Sequence, residues 1–446
     1  LDTLSNSIAI GTGALKTETT SGGSVAIGSY ALEDQNTAGA NNTAVGHNAG
    51  YNLITGTDSV YVGYQAGGSG TITGNHNVAI GKKAGYDLPS GHSNVLIGRH
   101  AAENFTDNAS NVAIGYNALQ LANTGEHYNV AVGTSAMANE TSGADGCVAI
   151  GYNAMIGQNA DVENTAIGYA ALYHNKTANG NTVVGYQAGQ TVVDVDNTFI
   201  GDNAGASVGH ATANVAVGAH AYGSSFFTDG TCDLNGSTTI LCDSSGQIAV
   251  GQSVTGSGIP DGSYVVTVNS AGSVTSFTIP EAATTTANNQ TLYFYAGTGD
   301  SNTCIGYTAG EGLTTGYDNT FVGRNAGKDI VTGYRNVALG AYALQAANGS
   351  ETSNIAIGYG ALYTETSNAS YCTAVGHGAL LSQNANVKNT AIGGLAGDAI
   401  TSGTGNTSVG YLSTSAAAGN YNTAIGHAAY AKGTGANNVC IGASAG

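Results

Sequence analysis

Three kinds of side chain in this sequence could do chemistry: histidine, cysteine, and tyrosine set among asparagines. The ten histidines are dispersed. His47, His377 and His427 share one position, directly after a recurring glycine, and tyrosine fills that position in eight other places, Tyr64 and Tyr186 among them. A shared register position marks a structural stripe. His92 and His100 have no carboxylate partner at metal-ligand spacing, so no metal site is expected. Acid pairs such as Glu33-Asp34 read as solvated loop charges. With only 28 acids in 446 residues, a glycosidase-like carboxylate pair is not expected either. Gly-x-Gly patterns carry no phosphate-loop meaning in a chain with 69 glycines. Cys232 and Cys242 stand ten residues apart. A disulfide between them would staple a short hairpin in an exported protein, and two free thiols are the alternative. Tyrosine is the enriched aromatic, with 25 Tyr against 7 Phe and no Trp. Tyrosine with asparagine on a weakly charged surface could form a sugar-binding face, and Tyr264, Tyr293 and Tyr295 are the candidate receptor contacts. Padding on the outside of a β-structure is the plainer reading of the same rings. No catalytic residue and no cofactor is expected.

The elements that position these residues come from an internal repeat. The register glycines run from Gly11 through Gly46, Gly115 and Gly185 to Gly218, and resume from Gly306 through Gly323 to Gly442. They define 22 units, spaced 16 to 18 residues apart. Counting from the glycine, position −1 is aliphatic in all 22, and position −3 is Val, Ile or Thr. Position −2 is Ala in 14, with Tyr61, Leu96, Phe199 and Phe321 among the exceptions. Position −4 is Asn in 17 units, as in Asn111 and Asn181, and position +3 is Ala in 21, as in Ala118 and Ala188.

Branched residues at −3 and −1 point to one face of a short strand and the residue at −2 to the other. A coil of this length suits two short strands and two turns, and is too short for a helix plus a strand. One coil cannot bury its own apolar side, so stacked coils must supply the core. The expected fold is all-β: a parallel β-solenoid, or β-roll, on the order of 100 Å long. Alanine at +3 fits a narrow interior, the glycine a corner that needs positive φ or close approach, and the asparagine a ladder or turn cap. Apolar residues on both strand faces exceed what one thin interior can cover. The second set then needs a neighbouring chain, or else lies scattered on a monomer's surface.

Between Gly218 and Gly306 the period breaks. Longer strand-like runs appear at 247–250, 263–268, 276–279 and 291–295, with a turn signal at Pro260-Asp261-Gly262. The expected organisation is a solenoid of 13 coils over 1–222, an inserted antiparallel β domain over 223–301, and nine more coils over 302–446. The remaining cysteines fall in repeat columns, Cys147 and Cys372 at −4 and Cys304 and Cys440 at −2, where small buried thiols are expected.

Composition removes further classes. Charged residues make up 9% of the chain and the net charge is −18, which argues against a nucleic-acid partner. No apolar run is long enough for membrane insertion as a helix. No basic leader precedes an apolar stretch, and the start at Leu1 reads as a processed or partial chain.

The strings Asn-Thr-Ala-Val-Gly-His-Asn-Ala-Gly (42–50) and Asn-Thr-Val-Val-Gly-Tyr-Gln-Ala-Gly (181–189) resemble the head repeats of trimeric autotransporter adhesins. They are closer in wording and coil length to the repeat region of bacteriophage tail-fibre proteins. The insert, at 251–260, looks like small β modules of phage structural proteins. The resemblance implies a homotrimer acting as a fibre segment of a virion appendage, placed on a virion or a cell surface. Its partners would be adjoining fibre domains or subunits at both ends and a host-surface receptor such as a polysaccharide. A bacterial trimeric surface adhesin head is the alternative. An ice-binding solenoid ranks lower, because Thr at −3 is irregular, in ten of 22 units.

Overall fold

The computed structural model describes all residues except 1–5, 19–21, 37–39, 123–124, 140–142, 158–162, 174–178, 193, 224–225, 243–247, 249–252, 261–262, 270–275, 296–298, 346–349, 365–369, 384–387 and 417–418. The described residues contain strands, turns and bends, and no helix. They divide into two compact units, Leu1–Gln187 and Ala188–Gly446.

Each unit holds eleven three-residue solenoid strands, one per repeat. In the first unit they run from Ile8–Ile10 to Thr182–Val184, as a parallel stack. Pairing is in register, as in Val112↔Val130, Ala113↔Ala131 and Ile114↔Val132. The Val112 amide donates to the Asn129 carbonyl at 2.8 Å, and the Gly115 amide to the Ile97 carbonyl at 2.8 Å. In the second unit Val215–Val217 pairs directly with Thr303–Ile305, so the insert interrupts the sequence but not the sheet. The fold is a parallel β-solenoid with an inserted antiparallel sheet, as the repeat predicts.

One expectation about the coil needs correction. Among the described residues no second strand forms, only isolated parallel bridges such as Ala109↔His127. After the corner glycine the chain turns sharply, with left-handed φ at +2 and +4, 57° at Asn117 and 50° at Leu119. Non-glycine residues rarely hold such angles. Here coil-to-coil hydrogen bonds hold them, Asn117 N to Arg99 O at 3.1 Å and Leu119 N to Ala136 O at 3.0 Å. The interior lies on the −2 side of the strand, a choice the alternation alone leaves open. Ala113 is fully buried, while Val112 and Ile114 beside it are half-exposed, so the branched columns face outward. Ala118 and Leu119 close the interior from the opposite wall.

Two constraints keep the coils at strand spacing. At Gly115 φ is +142°, and a Cβ built there would lie 2.3 Å from the Gly133 carbonyl oxygen of the next coil. No L side chain fits that contact. Gly46 and Gly323 stand in the same way against Gly63 and Gly340, and Gly185 has φ of 146°. The second constraint is the −4 column. Asn111 Oδ1 accepts from the Asn129 amide at 2.9 Å, and its Nδ2 donates to the Glu126 carbonyl at 2.8 Å. One side chain thus ties two coils together and closes its own loop. Asn181 continues this column, its amide donating to Asn164 Oδ1 at 2.7 Å.

Large residues at −2 are balanced across the coil. Tyr61, Phe199 and Phe321 are completely buried, and position +4 of the same coil is Gly67, Gly205 and Gly327. A Cβ at Gly327 would come within 2.6 Å of the Phe321 ring. Where −2 is Ala, position +4 is a large side chain in many coils, Leu32, Leu119 and Leu344 among them. Interior volume is exchanged between positions, and where −2 and +4 are both small, as at Ala79 and Gly85, a buried residue at +7 such as Leu88 fills the space.

The insert is built on a ribbon of Phe226–Asn235 against Thr286–Tyr295. Ser253–Thr255 extends one edge of it, and Thr239–Leu241, Ser276–Thr278 and Thr267–Val268 continue the other. Its core gathers Leu234, Ile240, Val254, Phe277 and Phe294 around the Cys232–Cys242 disulfide, whose Cα atoms lie 4.2 Å apart. The strand expected at 247–250 lies outside the described residues apart from Ile248. The turn at 261–262 does too. The strand expected over 263–268 is reduced to Thr267–Val268, with a bridge at Tyr264.

The volume exchange gives a direct test. Phe321→Ala should cost about 3–5 kcal/mol, as a large-to-small core change does. Adding Gly327→Leu should recover part of that loss, because other coils hold leucine at +4 with the same φ, as at Leu119. Equilibrium unfolding of both variants measures it. No recovery in the double variant would show that the two walls do not share one volume.

Candidate functional site

The outward strand face is the feature that needs explaining. Ile80 and Ile150 are each 37% exposed, Ile355 40% and Ile392 43%. Strand spacing of about 4.8 Å brings like side chains together along the stack. Each unit therefore carries an aliphatic stripe made of its −1 column, flanked by a −3 column in which Val and Ile alternate irregularly with Thr.

Beyond the corner glycine, position +1 adds an exposed aromatic column. In the first unit Tyr152, Tyr169 and Tyr186 stack at centroid distances of 5.2 and 5.1 Å. His47 stacks on Tyr64 at 5.6 Å, and in the second unit His377 stacks on Tyr359 at 5.5 Å. Lys82 and Arg99 share the column and lie 5.8 and 5.5 Å from the rings of Tyr64 and Tyr116. Such stacks and cation–π contacts stabilise a surface modestly. The histidines in this column belong to the stripe the repeat implied.

The titratable groups are engaged in structure. His100 does have a carboxylate partner, contrary to the expectation from spacing: its Nδ1 lies 2.7 Å from Glu103 Oε2. Lys83 and Gln120 also bond that carboxylate, at 2.9 and 3.2 Å. Burial pushes the Glu103 carboxyl up, but these bonds outweigh it and hold it below the usual range. Glu33 is a second correction. It is 6% exposed rather than solvated, and accepts a bond from Lys16 at 2.8 Å. Glu126 is completely buried, with the Gly143 amide 3.1 Å from Oε1 and the Asn108 amide on Oε2. Desolvation raises its carboxyl above the ordinary value despite those bonds. Cys304 is buried at −2, and burial pushes its thiol far up, which makes it unreactive. Among the described residues no cluster of three His, Cys, Asp or Glu could hold a metal.

The register residues occupy the corner, the ladder and the interior described above, and Ala188 is fully buried like Ala118. The insert candidates are not brought together as one described site. Tyr264 is half-buried against the solenoid, its ring 4.1 Å from that of His210, which pairs with Asp194 at 3.1 Å. Tyr293 and Tyr295 lie on the ribbon, and their side chains fall outside the described residues. Among the described residues the exposed tyrosine clusters lie instead on the solenoid, many of them at +1, +2 and +5, and at −6 where Tyr317 stacks on Tyr334 at 4.8 Å. The signal for them was present as tyrosines recurring at those offsets.

No family model, curated protein or solved structure matches the chain.

Glu126 yields a pH test. Its raised folded-state pKa favours the neutral form in the fold. That contribution is complete below the unfolded-state carboxylate pKa and is lost as pH rises through the folded-state value. Glu126→Gln should therefore raise the unfolding midpoint at pH 8 and leave it little changed at pH 4. Thermal unfolding followed by circular dichroism reads this. A lower midpoint at pH 8 would show that the ionised carboxylate supports the fold.

Proposed function

We propose that this chain is a structural fibre segment of a phage tail fibre or similar virion appendage. Three copies associate through their aliphatic stripes, and the assembly reaches and attaches to a host surface. The observation that carries the reading is the stripe itself. A single coil has one interior, filled at −2, +3 and +4, and the branched residues at −3 and −1 stay outside it in every described coil. Repeating this face along a stack creates an apolar strip that a soluble monomer has no reason to keep. A second and a third copy of the same face would cover it, in the closed symmetry usual for homo-oligomers.

Catalysis has no part in this reading. Within each unit the stacked strands supply stiffness, because neighbouring described coils are hydrogen-bonded through strand and turn, and at most of them through the −4 side chain. The insert leaves the stack where two coils remain paired, so it can vary without cost to the shaft.

Sedimentation should give a trimer for the purified chain. Ile80→Glu combined with Ile150→Glu would place charges on the stripe without touching the interior, and should shift the protein to monomer. A monomeric parent chain, or a trimer indifferent to both charges, would refute the assembly through this face.

A further inference from the structure

The aromatic residues past the corner glycine form a built notch. In the second unit Tyr342, at +2 of its coil, faces Tyr359 and Tyr363, at +1 and +5 of the next. The ring centroids lie 5.4 and 6.3 Å apart, inclined at 67° and 66°. With Gly360 and Leu381 they enclose an open cavity of about 370 Å³, within the roughly 300–1,000 Å³ of small-ligand sites. Gly360 leaves the floor clear, since a Cβ there would project towards Leu381 Cδ1, at 3.6 Å.

The arrangement recurs. Tyr30, His47 and Tyr51 hold the same +2, +1 and +5 positions in the first unit, with centroids 6.1 and 6.4 Å apart at 83° and 84°. Tyr30 and Tyr342 are the only tyrosines at +2 in the 22 units. Each is followed by an aromatic residue at +1 and a tyrosine at +5, so the three travel as a set.

Charge separates the two notches. In the first, Tyr51 lies beside Glu33, which is already paired with Lys16. In the second, the exposed Arg324 stands over Tyr342, its guanidinium carbon 4.6 Å from the ring centre, and donates to the Tyr342 hydroxyl. Arg324 belongs to the preceding coil and stands outside the cavity's lining, has no ion pair among the described residues, and commits one of its five N–H donors to the Tyr342 hydroxyl. Each tyrosine presents an apolar ring with a hydroxyl at its edge. A pyranose has the matching pattern, with apolar faces and a rim of hydroxyls. A carboxylate on that ring would meet the guanidinium as a paired, charge-assisted acceptor.

We propose that the Tyr342–Tyr359–Tyr363 notch binds one acidic sugar residue, its ring on the tyrosines and its carboxylate on Arg324. The inference deepens the attachment reading and rests on it for the source of the sugar, a host-surface polysaccharide. The test uses the full chain on an immobilised panel of oligosaccharides in matched neutral and uronic-acid forms. The acidic form should bind more tightly by about tenfold. Tyr359→Ala, at a position 57% exposed, should abolish that binding. Arg324→Gln should reduce acidic binding to the neutral level. No binding to any acidic sugar, equal binding of both forms, or full binding by Tyr359→Ala would overturn the proposal. Sedimentation of the same samples separates the two readings. A trimer that binds no sugar refutes only the notch, and a monomer that binds through it refutes only the assembly.

Discussion

Most coils, the 17 with asparagine at −4, depend on a hydrogen bond that their own backbone cannot supply. The −4 asparagine side chain accepts from the amide of the same position one coil on and donates into the loop that ends its own coil. Asn302 shows how firmly this holds. Its amide reaches Asn214 Oδ1 at 2.8 Å across 88 residues of sequence, and its Nδ2 reaches the Gly316 carbonyl at 2.8 Å. The acceptors and donors are completely buried or nearly so, where an unpaired polar atom costs about 1–3 kcal/mol. The column therefore fixes register, and register fixes everything else. The glycine corners can approach to backbone contact only if each coil lies squarely over the last. The interior pairs at −2 and +4 exchange volume only if both belong to one layer.

The same register creates the surface. Because side chains repeat at strand spacing, an outward-facing isoleucine becomes a stripe and an outward-facing tyrosine becomes a stack. A single exposed Ile would need no explanation, but a column of them does. The aromatic notches are local departures from that regularity. They form where a tyrosine at +2 meets two rings of the following coil, and Arg324 gives one of them a charge in a chain with only 10 basic residues.

Much of this was legible in the residues. Gly115, Asn111 and Ala118 each stand for a column, and a column repeated with almost no exception must answer a constraint felt by every coil. The side of the strand that faces inward was not legible, because alternation fixes two faces without saying which is core. The small size of alanine at −2 is what the narrow interior requires. The missing second strand also left no trace in composition. Asn117 is a residue type that tolerates left-handed φ, but Leu119 is not, and only the stacked hydrogen bonds hold it there. The pairing of Phe321 with Gly327 was visible, though only as a correlation between two columns. In the insert, the strand Phe226–Asn235 was not among the expected runs, and register shifts on both sides of Cys232 interrupt its pairing.

Hydrogen exchange on Asn111→Ala tests the central claim most directly. If the side-chain column holds the register, the Asn129 amide loses its acceptor and exchanges much faster. The strand amides of the flanking coils should follow, while distant coils stay protected. Unchanged protection at Asn129 and around it would contradict the account, and would leave the strand ladder alone as the source of order.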